Sequence, residues 1–182
     1  MTAVTRRALL ACLAAAAVPH RAVARAPRPE VAIWLPGARL QGQGRMEFFG
    51  LHVYDIRLWT TEGFDAASFE RHPLALEIEY ARGFAGQRIA ERSLAEMQRL
   101  APITPAQSET WLAAMQRAFP DVQAGERLTG VQRPATGAQF IHEGRREVEI
   151  PDPAFARAFF AIWLSPRTSE PRLRAALLGA AA

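Results

Sequence analysis

Three side chains that could bind or transform a small molecule stand within one unusually apolar segment, residues 40–59. Arg45 follows a Gly42-x-Gly44 pair, and His52 and Tyr54 lie a few residues further on. An arginine suits a carboxylate because its guanidinium donates two parallel hydrogen bonds. Taken alone, these residues favour a structural role over ligand binding. Arg45 would be a surface charge, and His52 and Tyr54 would be core residues whose polar atoms are hydrogen-bonded.

The elements that must position these side chains begin with the segment itself. Its pattern predicts one long strand from Arg45 to Trp59, bent near Gly50. The centre of this strand is apolar on both faces, which is typical of a strand covered on both sides. One cover would be a layer of helices, and the other could be a ligand.

The rest of the chain predicts an α+β fold, with an antiparallel sheet and helices against it. Short strands are expected around Val31–Leu35 and Ala38–Leu40, separated by a Pro36-Gly37 turn. Residues 74–82 alternate as a half-buried strand with one solvent-exposed face. Apolar periodicity and capping residues predict further elements: helices over 86–101, 104–119, 154–164 and 169–178, and strands over 126–132, 138–144 and 145–150.

Several classes of enzyme lack their sequence signatures here. The chain contains no lysine, and therefore no phosphate-binding Gly-x-x-x-x-Gly-Lys loop, and no Gly-x-Ser-x-Gly or His-Glu-x-x-His motif. The histidines are scattered singly, so we predict neither a metal site nor a bound cofactor. The Gly42-x-Gly44 pair lacks the third glycine and the following helix of a dinucleotide site.

Residues 1–24 are predicted to be a signal peptide. A basic start precedes an apolar run and small residues at 22–24, which indicates cleavage after Ala24. Residues 25–182 would then form a periplasmic or secreted domain with no cysteine and no membrane-spanning segment. The Thr5-Arg6-Arg7 start also resembles a twin-arginine signal, so the export route stays open.

The overall charge does not indicate a nucleic-acid partner. The chain has 22 basic and 18 acidic residues, a formal net charge of +4. Arg6, Arg7 and Arg21 belong to the predicted signal peptide, and without them 19 basic residues face 18 acidic ones. A nearly neutral domain lacks the basic surface that binding DNA or RNA requires.

The motif L-x-G-x-G-R…F-x-G-x-x-V-Y-D-x-x-L-W, over residues 40–59, resembles the chalcone isomerase-like family in its exported bacterial branch. Residues 74–97, 119–144 and 152–179 are similar to the family's later strands and helices. This resemblance implies an open-faced β-sandwich, whose large antiparallel sheet has helices packed on one face and a small-molecule cleft between the two layers. Residues 25–182 would be the chalcone isomerase-like domain.

The resemblance also implies roles for individual residues. Arg45 would be the family's strand cation, and Tyr54 would join it in holding a carboxylate, as in fatty-acid-binding members. Phe49 stands near the place where the enzymes have a threonine that orders water. Ser93 is the nearest polar residue on the helix that supplies catalytic groups, and His52 lies between Phe49 and Tyr54 on the strand.

Three functions are therefore in view. The first is a non-catalytic binder of a fatty acid or similar amphipathic molecule, with Arg45 at the charged end. The second is a cofactor-independent intramolecular lyase acting on an enone. The third is an envelope interaction protein with a filled core and no ligand. The identity of the ligand and the oligomeric state are not specified by the sequence.

Overall fold

The computed structural model describes residues 26–179, and the predicted signal peptide lies outside them. Its centre is one antiparallel sheet of six strands in chain order. The strands are β1 (Arg39–Phe48), β2 (Leu51–Thr60), β3 (Leu74–Tyr80), β4 (Arg127–Arg133), β5 (Gly137–His142) and β6 (Arg146–Ile150). This sheet confirms the predicted α+β class and its antiparallel arrangement.

Four helices cover one face of the sheet: α2 (Gly86–Leu100), α3 (Pro105–Ala118), α4 (Pro153–Leu164) and α5 (Pro171–Leu177). A short 3₁₀ helix, Ala66–Arg71, joins β2 to β3. The capping box of Thr104 and Gln107 begins α3, and the carboxylate of Asp152 caps α4. The aromatic side chains of α4 form the main core with the sheet, where the rings of Phe140 and Phe159 lie 5.1 Å apart.

The expected first strand is instead a helix, α1 (Pro29–Trp34), on the opposite face of the sheet. Val31 and Leu35 lie one helical turn apart and pack, fully buried, on Trp59 and its neighbours. The five-residue apolar run that suggested a strand fits either element by periodicity. Pro29, which begins this helix, was the signal in favour of it.

The prediction that one face of β3 is exposed to solvent was also wrong. Glu77 is only 1% exposed, and its carboxylate accepts a hydrogen bond from Arg57 Nη1 at 2.6 Å. Arg28, just before α1, adds a second guanidinium at 3.8 Å. The charge of Glu77 was taken to indicate a solvent-exposed strand face. The residue instead belongs to a buried ion pair beneath the segment that leads into α1.

The predicted long strand from Arg45 to Trp59 is a tight hairpin. Phe49 and Gly50 both adopt left-handed backbone conformations, with φ of 48° and 73°, and form the two-residue turn between β1 and β2. Gly50 was recognised as a bend, but phenylalanine is an unusual residue in a left-handed position. The fold of the segment onto itself brings Arg45 opposite Asp55 and Met46 opposite Tyr54.

The Gly-x-Gly pair has a packing role. A Cβ on Gly42 would overlap the backbone carbonyl groups of Ala176 and Leu177, and one on Gly44 would overlap the Leu173 side chain. The two glycines therefore allow α5 to lie directly on β1. Among residues 26–179, no helix is both long enough and apolar enough to cross a bilayer.

Candidate ligand cavity

A cavity of about 420 Å³ lies between α2 and the first strands of the sheet. It exists because α2 packs mainly against α3 and α4, whereas α3, α4 and α5 pack on the strands. The sheet contributes an apolar floor and the helices an apolar roof, which include Met46, Ile78, Leu128, Ile89, Phe159 and Ile162. Volume and lining are those of a typical small-molecule site.

Two tyrosines stand side by side on the cavity floor. Tyr54 of β2 and Tyr80 of β3 are paired across the two strands, with ring centroids 6.1 Å apart. They are the only two tyrosines in the chain, and both line the cavity. Their hydroxyl groups therefore place the phenolic chemistry of the whole protein at this one site.

The hydroxyl group of Tyr54 is set up as a hydrogen-bond donor. Its oxygen accepts a hydrogen bond from the indole Nε1 of Trp163 on α4, at 3.0 Å. Burial raises the pKa of Tyr54 to about 12, although the bond from Trp163 acts to lower it. The phenol therefore stays protonated at physiological pH, and since Trp163 occupies one lone pair, its proton is available to a ligand oxygen.

Tyr80 lies deeper and is 5% exposed. Burial, and secondarily the neighbouring Tyr54, raises its pKa. Its hydroxyl group makes no hydrogen bond to another side chain or backbone group in residues 26–179. Because Tyr80 lines the cavity, its hydroxyl group offers a second polar contact for a molecule that enters.

Charged side chains surround the mouth of the cavity. The carboxylate of Glu96 on α2 is ion-paired. Arg92 Nη2, Arg99 Nε and Ser169 Oγ donate hydrogen bonds to it at 2.6, 2.9 and 3.1 Å. Arg82 and Arg88 also line the mouth and are exposed. Within the described part of the chain neither forms an ion pair, so both guanidinium groups are free to attract an anion.

The structure brings together only two of the five residues that the sequence nominated. Tyr54 lines the cavity, and so does Ser93, whose hydroxyl group donates to the Ile89 carbonyl at 2.8 Å. The side chain of Arg45 projects from the opposite face of the sheet, because it pairs with Asp55 rather than with Tyr54. Its Nε lies 3.0 Å from Asp55 Oδ1.

The other two nominated residues belong to the hairpin but not to the cavity. Phe49 occupies the turn and is 90% exposed. His52 Nε2 lies 3.3 Å from Asp55 Oδ1, within ion-pair distance but without the orientation of a hydrogen bond. The expectation that Arg45, Phe49 and His52 share a cleft with Tyr54 was wrong. Arg45 pairs with Asp55, Phe49 lies in the turn, and a register shift at Val53 separates His52 from the face of Tyr54.

The site also contains residues that were not nominated from the sequence. Tyr80 ends a strand that had been recognised, and Arg88 and Arg92 lie one turn apart at the start of a recognised helix. Such spacing places both arginines on one helical face. Nothing in the sequence indicated that this face borders a cavity, nor that Trp163 reaches Tyr54 across it.

No group of three metal-ligating side chains occurs among residues 26–179. The polar groups of the cavity are the two phenols, the ion-paired Glu96 and Arg92, the carboxylate of Glu170, and the guanidinium groups of Arg82 and Arg88. These groups suit an amphipathic molecule, with its apolar part among the aliphatic and aromatic walls and its polar end near Tyr54 and Arg92.

The described residues form a six-stranded antiparallel sheet with four helices on one face and an apolar cavity between these two layers. This is the open-faced β-sandwich that the family resemblance implied. The sequence model described as chalcone isomerase-like matches residues 37–179. The chain belongs to the chalcone isomerase-like family, as its motifs indicated.

Two known proteins are similar to this chain. An uncharacterised protein of Haemophilus influenzae is 30% identical over 146 residues, which cover 79% of this chain and 70% of that protein. A crystal structure of an Arabidopsis thaliana fatty-acid-binding protein matches with a TM-score of 0.59. It covers 79% of this chain and 87% of its own, at 12% identity. At that identity the likeness supports the fold alone.

Proposed function

We propose that this protein is a binder of a fatty acid or a similar amphipathic anion, held in the cavity beneath α2. The observation that carries the proposal is an apolar cavity with phenolic donors inside and unpaired arginines at its mouth. The fatty-acid-binding activity of the Arabidopsis protein, which has the same fold, is consistent with it.

The positions of the charged side chains favour one orientation of the proposed ligand, with its carboxylate near Tyr54. A carboxylate near Tyr54 would accept a hydrogen bond from the phenolic hydroxyl group and lie close to Arg92, whose charge lowers the pKa of Tyr54, whereas the charge of Glu170 has the larger and opposite effect. Arg82 and Arg88 would add attraction at the mouth without direct contact. The tail would extend over Ile78 and Leu128 toward the Phe159 and Ile162 side chains of α4. A hydrogen bond to a charged acceptor contributes about 1.5–3 kcal/mol.

Binding is tested with a fluorescent fatty acid that is displaced by unlabelled ones. Arg92→Gln should raise the Kd about tenfold, because a charge-assisted contact is lost, whereas Glu96 keeps its bonds from Arg99 and Ser169. Ser93→Phe should weaken binding, because the larger side chain occupies part of the cavity. Arg145→Gln, in the exposed turn before β6, is the matched control and should bind like the wild type.

Two results would contradict the proposal. Mass spectrometry should detect an acyl chain bound to the purified protein, either as isolated or after incubation with fatty acids. Failure of every chain length to bind would exclude fatty acids. Equal affinity of wild type and Ser93→Phe would show that any binding occurs outside the cavity.

The two alternative functions have less support. The open cavity disfavours an interaction protein with a filled core, for which aromatic side chains would have to close the space. A lyase activity rests on family resemblance alone, and fold does not specify function. Binding is therefore the function we put forward.

We also propose that the protein acts outside the cytoplasm after removal of residues 1–24. This rests on the pattern of the first 24 residues. The intact mass of the protein isolated from the cell envelope or medium should correspond to a chain that begins at Arg25. A chain that retains Met1 and stays with the cytoplasmic fraction would refute export.

A further inference from the structure

The tip of the β1–β2 hairpin exposes three large apolar side chains in a row. Phe48, Phe49 and Leu51 are 57%, 90% and 53% exposed, and the rings of Phe48 and Phe49 lie 4.5 Å apart. Among the described residues, Ile33 is the other large apolar side chain exposed to this degree. Clustered exposed apolar groups mark interaction sites, whereas single ones do not.

We propose that this hairpin tip inserts into the surface of an anionic lipid bilayer and holds the mouth of the cavity against it. The inference rests on the proposed function, since it supplies the route by which a lipid-derived ligand would enter or leave. Three observations support a bilayer as the partner: the backbone strain at Phe49, the basic side chains beside the tip, and the continuity of the tip with the cavity.

Phe49 occupies a backbone conformation that phenylalanine disfavours. Its φ of 48° is left-handed, in a two-residue turn completed by Gly50. Asparagine before glycine is the favoured pair for such a turn. A bulky residue in this conformation is strained, and strain of this kind is retained at functional positions. Phenylalanine at this position therefore makes the turn less stable than asparagine would, but it exposes an aromatic ring almost fully to solvent.

Two exposed arginines, Arg82 and Arg88, and one exposed carboxylate, Glu47, lie beside the tip, and their net positive charge suits an anionic surface. The backbone N–H of Ala81 donates to the Val53 carbonyl at 2.9 Å, which places Arg82 next to the base of the hairpin. Arg82 and Arg88 line the same cavity mouth as Phe48 and Leu51. Apolar side chains flanked by exposed arginines form the pattern of proteins that lie in a membrane interface.

The tip is continuous with the cavity. Phe48 and Leu51 are both exposed to solvent and part of the cavity lining, whereas Phe49 is exposed only. A bilayer in contact with the tip would therefore border the mouth, and an acyl chain could pass along Phe48 and Leu51 without crossing water. A protein partner would need no such continuity.

The test compares wild type with Phe49→Asn in flotation with vesicles of phosphatidylethanolamine and phosphatidylglycerol. All variants are purified as the cell produces them, and intact masses establish that they share one N terminus. Phe49→Asn should lower the partition coefficient about tenfold, because an exposed aromatic side chain no longer enters the interface. It should also raise the melting temperature, since Asn-Gly relieves the turn.

Ile33→Asn is the control, because it removes an apolar side chain that is also largely exposed, at 70%, from α1 on the other face of the sheet. It should leave vesicle binding unchanged. Wild-type binding should weaken on phosphatidylcholine vesicles and at high salt, because both reduce the attraction of the arginines.

Equal vesicle binding by wild type and Phe49→Asn would overturn the proposal, as would the absence of wild-type binding to anionic vesicles. Self-association that Phe49→Asn abolishes, without vesicle binding, would assign the tip to a second copy of the chain instead. Fatty-acid displacement separates the two proposals: Phe49→Asn should retain wild-type affinity, so loss of vesicle binding with intact ligand binding affects docking alone.

Discussion

Alkaline titration of the two tyrosines tests the environment on which the proposed site depends. Tyr54 and Tyr80 are the only tyrosines in the chain, so the absorbance of ionised tyrosine reports on the cavity and on nothing else. Burial raises the pKa of both phenols, that of Tyr54 to about 12. We expect the folded protein to show almost no ionised tyrosine at a pH where an exposed phenol is largely ionised.

The size of the effect follows from these values. At pH 11 a phenol with the ordinary pKa of 10.0 is about nine-tenths ionised, whereas one with a pKa of about 12 is about one-tenth ionised. Because the folded-state pKa is raised, the stabilisation is fully present below pH 10 and is lost as the pH rises toward 12. A shift of two units corresponds to about 2.7 kcal/mol. Since the cavity admits water, we expect Tyr54 to contribute about 1–2 kcal/mol of this loss in the free energy of unfolding.

The assay follows the near-ultraviolet absorbance of tyrosinate from pH 8 to pH 12, in buffer and in guanidinium chloride. The denatured chain should titrate near pH 10, whereas Tyr54 in the native chain should be only about half ionised at pH 12. Tyr54→Phe and Tyr80→Phe should each remove half of the amplitude. A native transition near pH 10 would show that the hydroxyl groups lie in bulk water, and the donor role of Tyr54 would then lose its basis.

Two further predictions concern the framework around the site. Gly42→Ala should lower the free energy of unfolding by about 1–3 kcal/mol, because its Cβ would overlap the Ala176 and Leu177 carbonyls and push α5 from β1; unchanged urea denaturation would show that α5 shifts freely. Glu77→Gln should cost about 3 kcal/mol by leaving Arg57 buried without its closest carboxylate, whereas Glu149→Gln, in the more exposed pair with Arg133, should cost at most about 0.5 kcal/mol. Equal losses in the two variants would argue against a special role for the buried pair.

Most of the fold could be predicted because its signals are local. Helix periodicity and capping residues such as Thr104 and Asp152 marked the helices that the structure contains. Two elements were missed where the local signal is ambiguous or contrary. The short apolar run of α1 fits a strand equally well, and Phe49 takes a conformation that its side chain disfavours.

The site could be predicted only in part because it depends on how distant elements meet. Tyr54 was nominated by the family resemblance, and it lines the cavity. Arg45, expected to contact a ligand carboxylate, lies outside the cavity because the hairpin register pairs it with Asp55. The arginines at the mouth come from the segment that follows β3 and from α2, and no local pattern indicates that their side chains border the same space as Tyr54.

The strictly sequential order of the strands has a consequence for folding. Strands β1–β3 and β4–β6 are two meanders whose pairings are local, whereas the β3–β4 pairing closes over the whole of α2 and α3. Closing the longer loop has the larger entropic cost, so we expect the two halves to form first and to join last. The cavity takes Tyr54 and Tyr80 from one half and Leu128 from the other. It is therefore completed only in the final step of folding, and a ligand bound there would slow the separation of the two halves.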